Sequence, residues 1–155
     1  MLAVGATLDD FTLRDDRDQE VRWSSLRGQP VVIFAYPRAD TPGCTREACA
    51  FRDLAADFAR HGVRVFGLSS DKVAALGRFR DKYGLTMPLL SDPDKQVLRA
   101  LGAWGTKKMY GKEVEGTLRS TFAFDADGVA WQVWPAVKVD GHADAVLAAV
   151  AQRVA

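Results

Sequence analysis

Pro30 opens the run Val31-Val32-Ile33-Phe34-Ala35-Tyr36, and Pro37 closes it. No residue in this run is charged and three are β-branched, so the segment has no polar face to turn towards water. Such a run is a strand buried on both sides of a sheet. It obliges the rest of the chain to supply a covering layer on each face. Phe11-Thr12-Leu13 and Val21-Arg22-Trp23 flank Asp15-Asp16-Arg17-Asp18 and predict an N-terminal hairpin. After the buried strand, Ala48, Phe51, Leu54, Ala55 and Phe58 recur at helical spacing, which predicts a helix from Cys44 to Arg60 with Gly62 as its stop. Val63 to Leu68 reads as a second strand. Ser69, Ser70 and Asp71 offer caps for a helix reaching about Lys82. Leu89-Leu90 is short and strand-like, and Ser91-Asp92-Pro93 starts a helix that ends near Leu101-Gly102. Leu118 to Phe124 and Val129 to Trp134 are strands joined by the turn Asp125-Ala126-Asp127-Gly128, and Ala143 to Arg153 is a final helix. The order β-β-β-α-β-α-(β)-α-β-β-α is that of a three-layer α/β domain. Its sheet is mixed, because the closing hairpin must be antiparallel.

Composition narrows the function. The 155 residues fit one domain spanning 1–155, and 48% apolar content with 15 aromatics provides a core. A net charge of +1 argues against a dedicated nucleic-acid or anionic-membrane surface. No apolar run approaches the ~18 residues of a membrane span. Met1-Leu2-Ala3-Val4-Gly5 lacks the basic start of a signal peptide, so the expected location is the cytoplasm. Two cysteines are too few for a disulfide scaffold or a thiolate-only zinc site. They are either inert core thiols or a reactive pair.

Their positions, Cys44 and Cys49, favour reactivity. The loop Pro37-Arg38-Ala39-Asp40-Thr41-Pro42-Gly43 leads from the end of the buried strand into a helix beginning at Cys44. The crevice beyond strand C-termini is where ligands bind in open α/β sheets. Free amide groups and the positive end of the helix dipole favour an anion there, so a thiolate is expected at Cys44. Thr41, three residues earlier, is within reach to donate its hydroxyl to the sulfur or to an incoming oxygen. Pro37 and Pro42 restrict the loop. Five residues of α-helix separate Cα atoms by roughly 8.5–9 Å, whereas a disulfide needs less than about 7 Å. Either Cys44 and Cys49 never pair, or the helix unwinds when they do.

Pro37-x-x-x-Thr41-x-x-Cys44 resembles the active-site signature of peroxiredoxins, and Tyr36 to Asp53 resembles their peroxiredoxin Q subfamily, also called bacterioferritin comigratory protein. Pro88-Leu89-Leu90-Ser91-Asp92, Trp104-Gly105, Gly111-Lys112, Arg119-Ser120-Thr121-Phe122 and Gly141-His142-Ala143 extend the likeness over nearly the whole chain. The resemblance implies a thioredoxin-like fold and thiol-dependent reduction of hydroperoxides without metal, haem or flavin. In that cycle Cys44 attacks the peroxide and becomes a sulfenic acid, Cys49 resolves it as a disulfide, and a thioredoxin-type or glutaredoxin-type dithiol reopens the bond. The resemblance also gives Arg119 the task of stabilising the thiolate and the charge on the leaving oxygen. An intramolecular bridge removes the need for a dimer, so a monomer is expected.

Other features read as structural. Glu47 caps the first turn or pairs with a base and receives no catalytic role, and Arg52 and Asp53 are helix-surface charges. Cys44, Cys49, His61 and His142 lack the spacing of a zinc site. Asp125-x-Asp127-Gly128 is a hairpin turn, because its glycine stands at the wrong offset for a calcium loop. The tryptophans are packing residues, with Trp104 placed loosely near the active site. Two other functions compete with a peroxidase. A disulfide oxidoreductase fits the order of elements but uses Cys-x-x-Cys. A redox sensor fits the unwinding argument but would not cycle with a reductant.

Overall fold

The computed structural model describes residues 1–154. Strands β1 (Thr12–Asp15) and β2 (Glu20–Arg22) form the N-terminal hairpin, and β3 (Val31–Ala35) is the buried run, with every residue inaccessible. Helices α1 (Pro42–Asp53) and α2 (Ala55–Arg60) lead to β4 (Arg64–Ser69), and α3 (Val73–Tyr83) leads to β5 (Leu89–Ser91). Then follow α4 (Gln96–Leu101), β6 (Trp104–Met109), β7 (Lys112–Thr117), β8 (Ser120–Phe124), β9 (Ala130–Trp134) and α5 (His142–Val154). Seven strands form one sheet in the order β2-β1-β5-β4-β3-β8-β9, and β6 pairs only with β7. β3, β4 and β5 run parallel to one another; β8 and β1 join them antiparallel. The sheet is therefore mixed, and the architecture is three-layered as expected.

Alternation along β3 builds two cores. Val31, Ile33 and Ala35 pack with Phe11, Trp23, Leu26, Phe122 and the α4 residues Val97, Leu98 and Leu101. Val32 and Phe34 pack with Cys44, Ala48 and Phe51 of α1, Leu76 and Phe79 of α3, and Val146 and Val150 of α5. The Phe34 and Phe51 rings stack at 4.5 Å with 11° between planes, which ties α1 to the strand before it.

The structure differs from the sequence reading at several elements. The expected helix Cys44–Arg60 begins two residues earlier and breaks at Leu54, whose N–H bonds the Phe51 carbonyl. No proline or glycine marks that break, so periodicity runs through it. β8 starts at Ser120 rather than Leu118, and the β6–β7 hairpin was not foreseen. Its strands are largely exposed, so they carry no apolar signal; its turn is Tyr110-Gly111, both at positive φ. Trp104 packs against the core on the far side of the sheet from Cys44 rather than beside it. The residue capping α3 is Lys72, with no side-chain bond, so Ser69, Ser70 and Asp71 are free for other work. The helix expected from Ser91-Asp92-Pro93 starts at Gln96, and the Asp92 carboxylate accepts the N–H groups of Gln96, Val97 and Leu98.

Gly67 marks the tightest approach in the central sheet. A Cβ there would lie 2.9 Å from Leu89 Cδ2 and 3.1 Å from both Phe34 and Tyr36. Gly67→Ala is expected to destabilise the protein by about 1–3 kcal/mol, as overpacking does, and urea denaturation measures it.

Candidate active site

β3 hands the chain to a loop held from three sides. Tyr36 N–H donates to the Leu68 carbonyl at 3.1 Å, extending the pairing with β4. Ala39 N–H donates to Asp71 Oδ2 at 2.8 Å, and the Ser69 hydroxyl donates to the same oxygen at 2.8 Å. Asp71, expected to cap α3, instead anchors the loop. Asp40, at φ 59°, accepts Lys82 Nζ at 2.9 Å and the Tyr83 hydroxyl at 2.6 Å. Lys82 and Tyr83 thus fix the loop to the end of α3. Pro37 stands partly exposed where the loop leaves the sheet.

Thr41 occupies the N-cap of α1 with Pro42 following it. Its hydroxyl donates to the Arg38 carbonyl at 2.8 Å, not to the sulfur, which corrects the expected direction of its hydrogen bond. Its one hydroxyl proton is thereby committed, and its lone pairs remain as acceptors. Cys44 is the third residue of α1, still in the first turn, and is 1% exposed.

Arg119 reaches Cys44 through topology rather than sequence proximity. Ala35 pairs with Ser120 across β3 and β8, so the residue before Ser120 emerges beside the loop that follows β3. Arg119 Nη2 lies 3.3 Å from Cys44 Sγ, and Nη1 donates to Glu47 Oε1 at 2.6 Å. One guanidinium therefore bridges a thiol and a carboxyl. Burial works against its charge, yet Cys44 and Glu47 more than offset this and hold its pKa above the ordinary value. Gly43 leaves room for the contact, because a Cβ there would stand 3.2 Å from Arg119 Nη2.

Glu47, read from the sequence as a first-turn cap or the partner of a base and given no catalytic role, is the third member of this group, and its base is Arg119. It is 1% exposed. Burial drives its pKa up to about 7 against the opposing pull of Arg119. Its second oxygen, Oε2, is buried with no hydrogen-bond partner. The available signal was its spacing: three residues along a helix share a face, which places Glu47 over Cys44.

Cys49 is half-buried beside the same core, and both thiols are free. Both cysteines lie within the continuous helix α1, so the separation of roughly 8.5–9 Å between Cα atoms applies to them. The rest of α1 is firmly seated. Arg52 Nη1 donates to the Tyr83 carbonyl at 2.5 Å, and the Phe51 ring meets His142 edge-on. His142 is buried at the start of α5, with Nε2 2.7 Å from the Thr121 hydroxyl and Trp134 edge-on to the ring. Burial, with a smaller push from Arg119, lowers its pKa to about 4. It is a neutral packing residue where α1, β8, β9 and α5 meet. His61 caps the end of α2.

Comparison with known proteins places the chain in a family. The AhpC/TSA family model matches residues 4–131, and the chain belongs to that family. Within it, the chain is a peroxiredoxin of the peroxiredoxin Q type, and so a thiol peroxidase. A putative peroxiredoxin of Mycobacterium tuberculosis strain H37Rv is 49% identical over 141 residues, covering 91% of this chain and 90% of the relative. The peroxiredoxin Bcp of Escherichia coli K12 is 40% identical over 146 residues, 94% of each chain. A structure of the bacterioferritin comigratory protein of Xanthomonas campestris, described for its alkyl peroxide reduction, superposes with a TM-score of 0.91 at 38% identity over 100% of this chain and 99% of its own. A Xylella fastidiosa peroxiredoxin Q variant gives a TM-score of 0.95 at 31% identity, covering 100% and 99%. These matches bear out the thioredoxin-like fold class. No helix among the described residues is long and apolar enough to cross a membrane.

The buried histidine generates a pH prediction. Its pKa is about 4 in the folded chain against an ordinary 6.5. The unfolded chain therefore binds a proton first as pH falls, and the stability from neutral His142 is lost over that window. The stability advantage of wild type over His142→Gln is expected to shrink from pH 6.5 towards 4, read by urea denaturation of the reduced proteins.

Proposed function

We propose that this chain reduces hydrogen peroxide and organic hydroperoxides with Cys44 as nucleophile and Cys49 as resolving thiol. The observation that carries the reading is the Arg119 guanidinium donating to Cys44 Sγ at 3.3 Å inside a buried site. A structural thiol has no need of a charged donor aimed at it. The thiolate attacks the terminal peroxide oxygen. The sulfur–oxygen bond forms as the oxygen–oxygen bond breaks, giving a sulfenic acid. Arg119, with a permanent charge and fixed donors, offsets the charge growing on the leaving oxygen. Thr41, its proton committed to Arg38, accepts the peroxide O–H and orients it. Pro37 has no N–H to compete and restricts the loop that leads to the sulfur.

Cys49 then condenses with the sulfenic acid and water leaves. The pairing distance requires the upper part of α1 to open for this step. A thioredoxin-type or glutaredoxin-type dithiol regenerates both thiols by exchange. The peroxidase reading also follows the alkyl peroxide reduction described for the Xanthomonas campestris relative. The protein acts as a single-domain monomer in the cytoplasm, since an intrachain bridge needs no second subunit.

Peroxide consumption tests the assignment. Cys44→Ser is expected to abolish turnover, and Arg119→Met to reduce kcat/KM about 10²–10³-fold, the usual cost of losing one preorganised donor. Mass mapping of the peroxide-treated wild type is expected to find Cys44 joined to Cys49. Equal turnover by wild type and Cys44→Ser overturns the reading.

A further inference from the structure

Two acids converge on one base in this site. Cys44 and Glu47 both contact Arg119, which carries a single positive charge, and both are 1% exposed. With the thiolate formed, an ionised Glu47 would leave the cluster with an excess negative charge out of water, which burial strongly disfavours. One proton therefore stays within the pair. Glu47 is suited to hold it: Oε1 accepts from Arg119, while buried Oε2 has no partner and is free to carry a hydrogen. Burial raises the carboxyl pKa to about 7, consistent with that load near neutrality.

The surroundings supply no competing charge. On α1 itself stand Cys44 and Arg46, and Arg46 is turned outward to Asp140, 3.8 Å away. From the connection before β8 comes Arg119. From α5 comes His142, which stays neutral to about pH 4.

We propose that Glu47 supplies the proton required by the oxygen that departs when Cys44 attacks a peroxide. The proposal rests on Cys44 being the nucleophile. The thiolate electron pair forms the sulfur–oxygen bond, the oxygen–oxygen bond breaks, and an alkoxide or hydroxide leaves. Sulfur is oxidised by two electrons and the peroxide is reduced by the same two. Thiolate, hydroperoxide and protonated Glu47 become sulfenic acid, alcohol and ionised Glu47. Release is driven by Arg119: once the sulfur is neutral, the guanidinium has only Glu47 to balance it. The carboxyl thus acts as a proton store whose occupancy is set by the charge on Cys44.

Proton accounting in a single turnover tests this. Reduced protein in weakly buffered solution below pH 7 receives one equivalent of tert-butyl hydroperoxide in a stopped-flow instrument. An indicator dye reports protons taken from solvent, and absorbance near 240 nm reports thiolate lost. Wild type is expected to lose thiolate with little proton uptake, and Glu47→Gln to take up a full proton for each thiolate lost. Equal uptake per thiolate in the two proteins overturns the proposal. Where Glu47→Gln does not fold, wild type decides alone: uptake per thiolate must rise towards a full proton as pH climbs through about 7, and a flat ratio overturns it. Absence of any thiolate loss on adding peroxide overturns the nucleophile assignment itself, and this proposal with it.

Discussion

A regular helix keeps residues five apart beyond disulfide reach, and that constraint organises the chemistry of this protein. Cys44 and Cys49 both lie inside α1, both are free, and only one of them touches Arg119. In the proposed cycle the folded helix is the state that meets peroxide. It seats the sulfur in the first turn, against the guanidinium, with the second thiol held away. Resolution by Cys49, as proposed, demands a different state of the same segment. The two ends of α1 are held differently. The lower part of α1 is fastened by the Phe34–Phe51 stack, the Arg52 bond to Tyr83 and the His142 contact. The upper part begins at Thr41, whose hydroxyl bonds Arg38 and caps no helix N–H, and its Gly43 resists helix formation. Cys44 and Ala48 pack into the core there, and the buried polar tie is the Arg119 cluster, the group whose charge balance would change in the proposed attack by Cys44.

That cluster also supplies what the proposed role of a buried Cys44 requires. Arg119 is placed by the register of β8 against β3, and Glu47 by helical spacing from Cys44. Neither position is set by the loop before α1. The loop before α1 is held by Asp71 and by Asp40 with Lys82 and Tyr83, so its anchors lie on β4, the turn after it and α3. Opening the first turns of α1 therefore need not dismantle the scaffold around it.

Much of this was legible before any coordinates. The apolar run at Val31 required two covering layers, and the alternating order of strands and helices with a closing hairpin required a mixed sheet in a three-layer domain. Cys44 at a helix start and Cys49 five residues later stated the distance problem outright. Arg119 was visible only through family likeness, because strand pairing, not spacing, carries it to the sulfur. Glu47 was readable as a cap or the partner of a base, but nothing in one sequence reports that its side chain is buried or that the base is Arg119. The direction of the Thr41 hydrogen bond was equally hidden, because it depends on where the Arg38 carbonyl points. The exposed β6–β7 hairpin was missed because polar strands lack the apolar alternation on which strand recognition relies.

The most direct test of this account is amide hydrogen exchange on reduced and peroxide-oxidised protein, with the disulfide mapped in the same sample. The oxidised form, carrying a Cys44–Cys49 bond, is expected to lose protection from Gly43 to Ala50 while the amides beyond Phe51 keep theirs. A mapped Cys44–Cys49 bond with unchanged protection across Gly43 to Ala50 would contradict it.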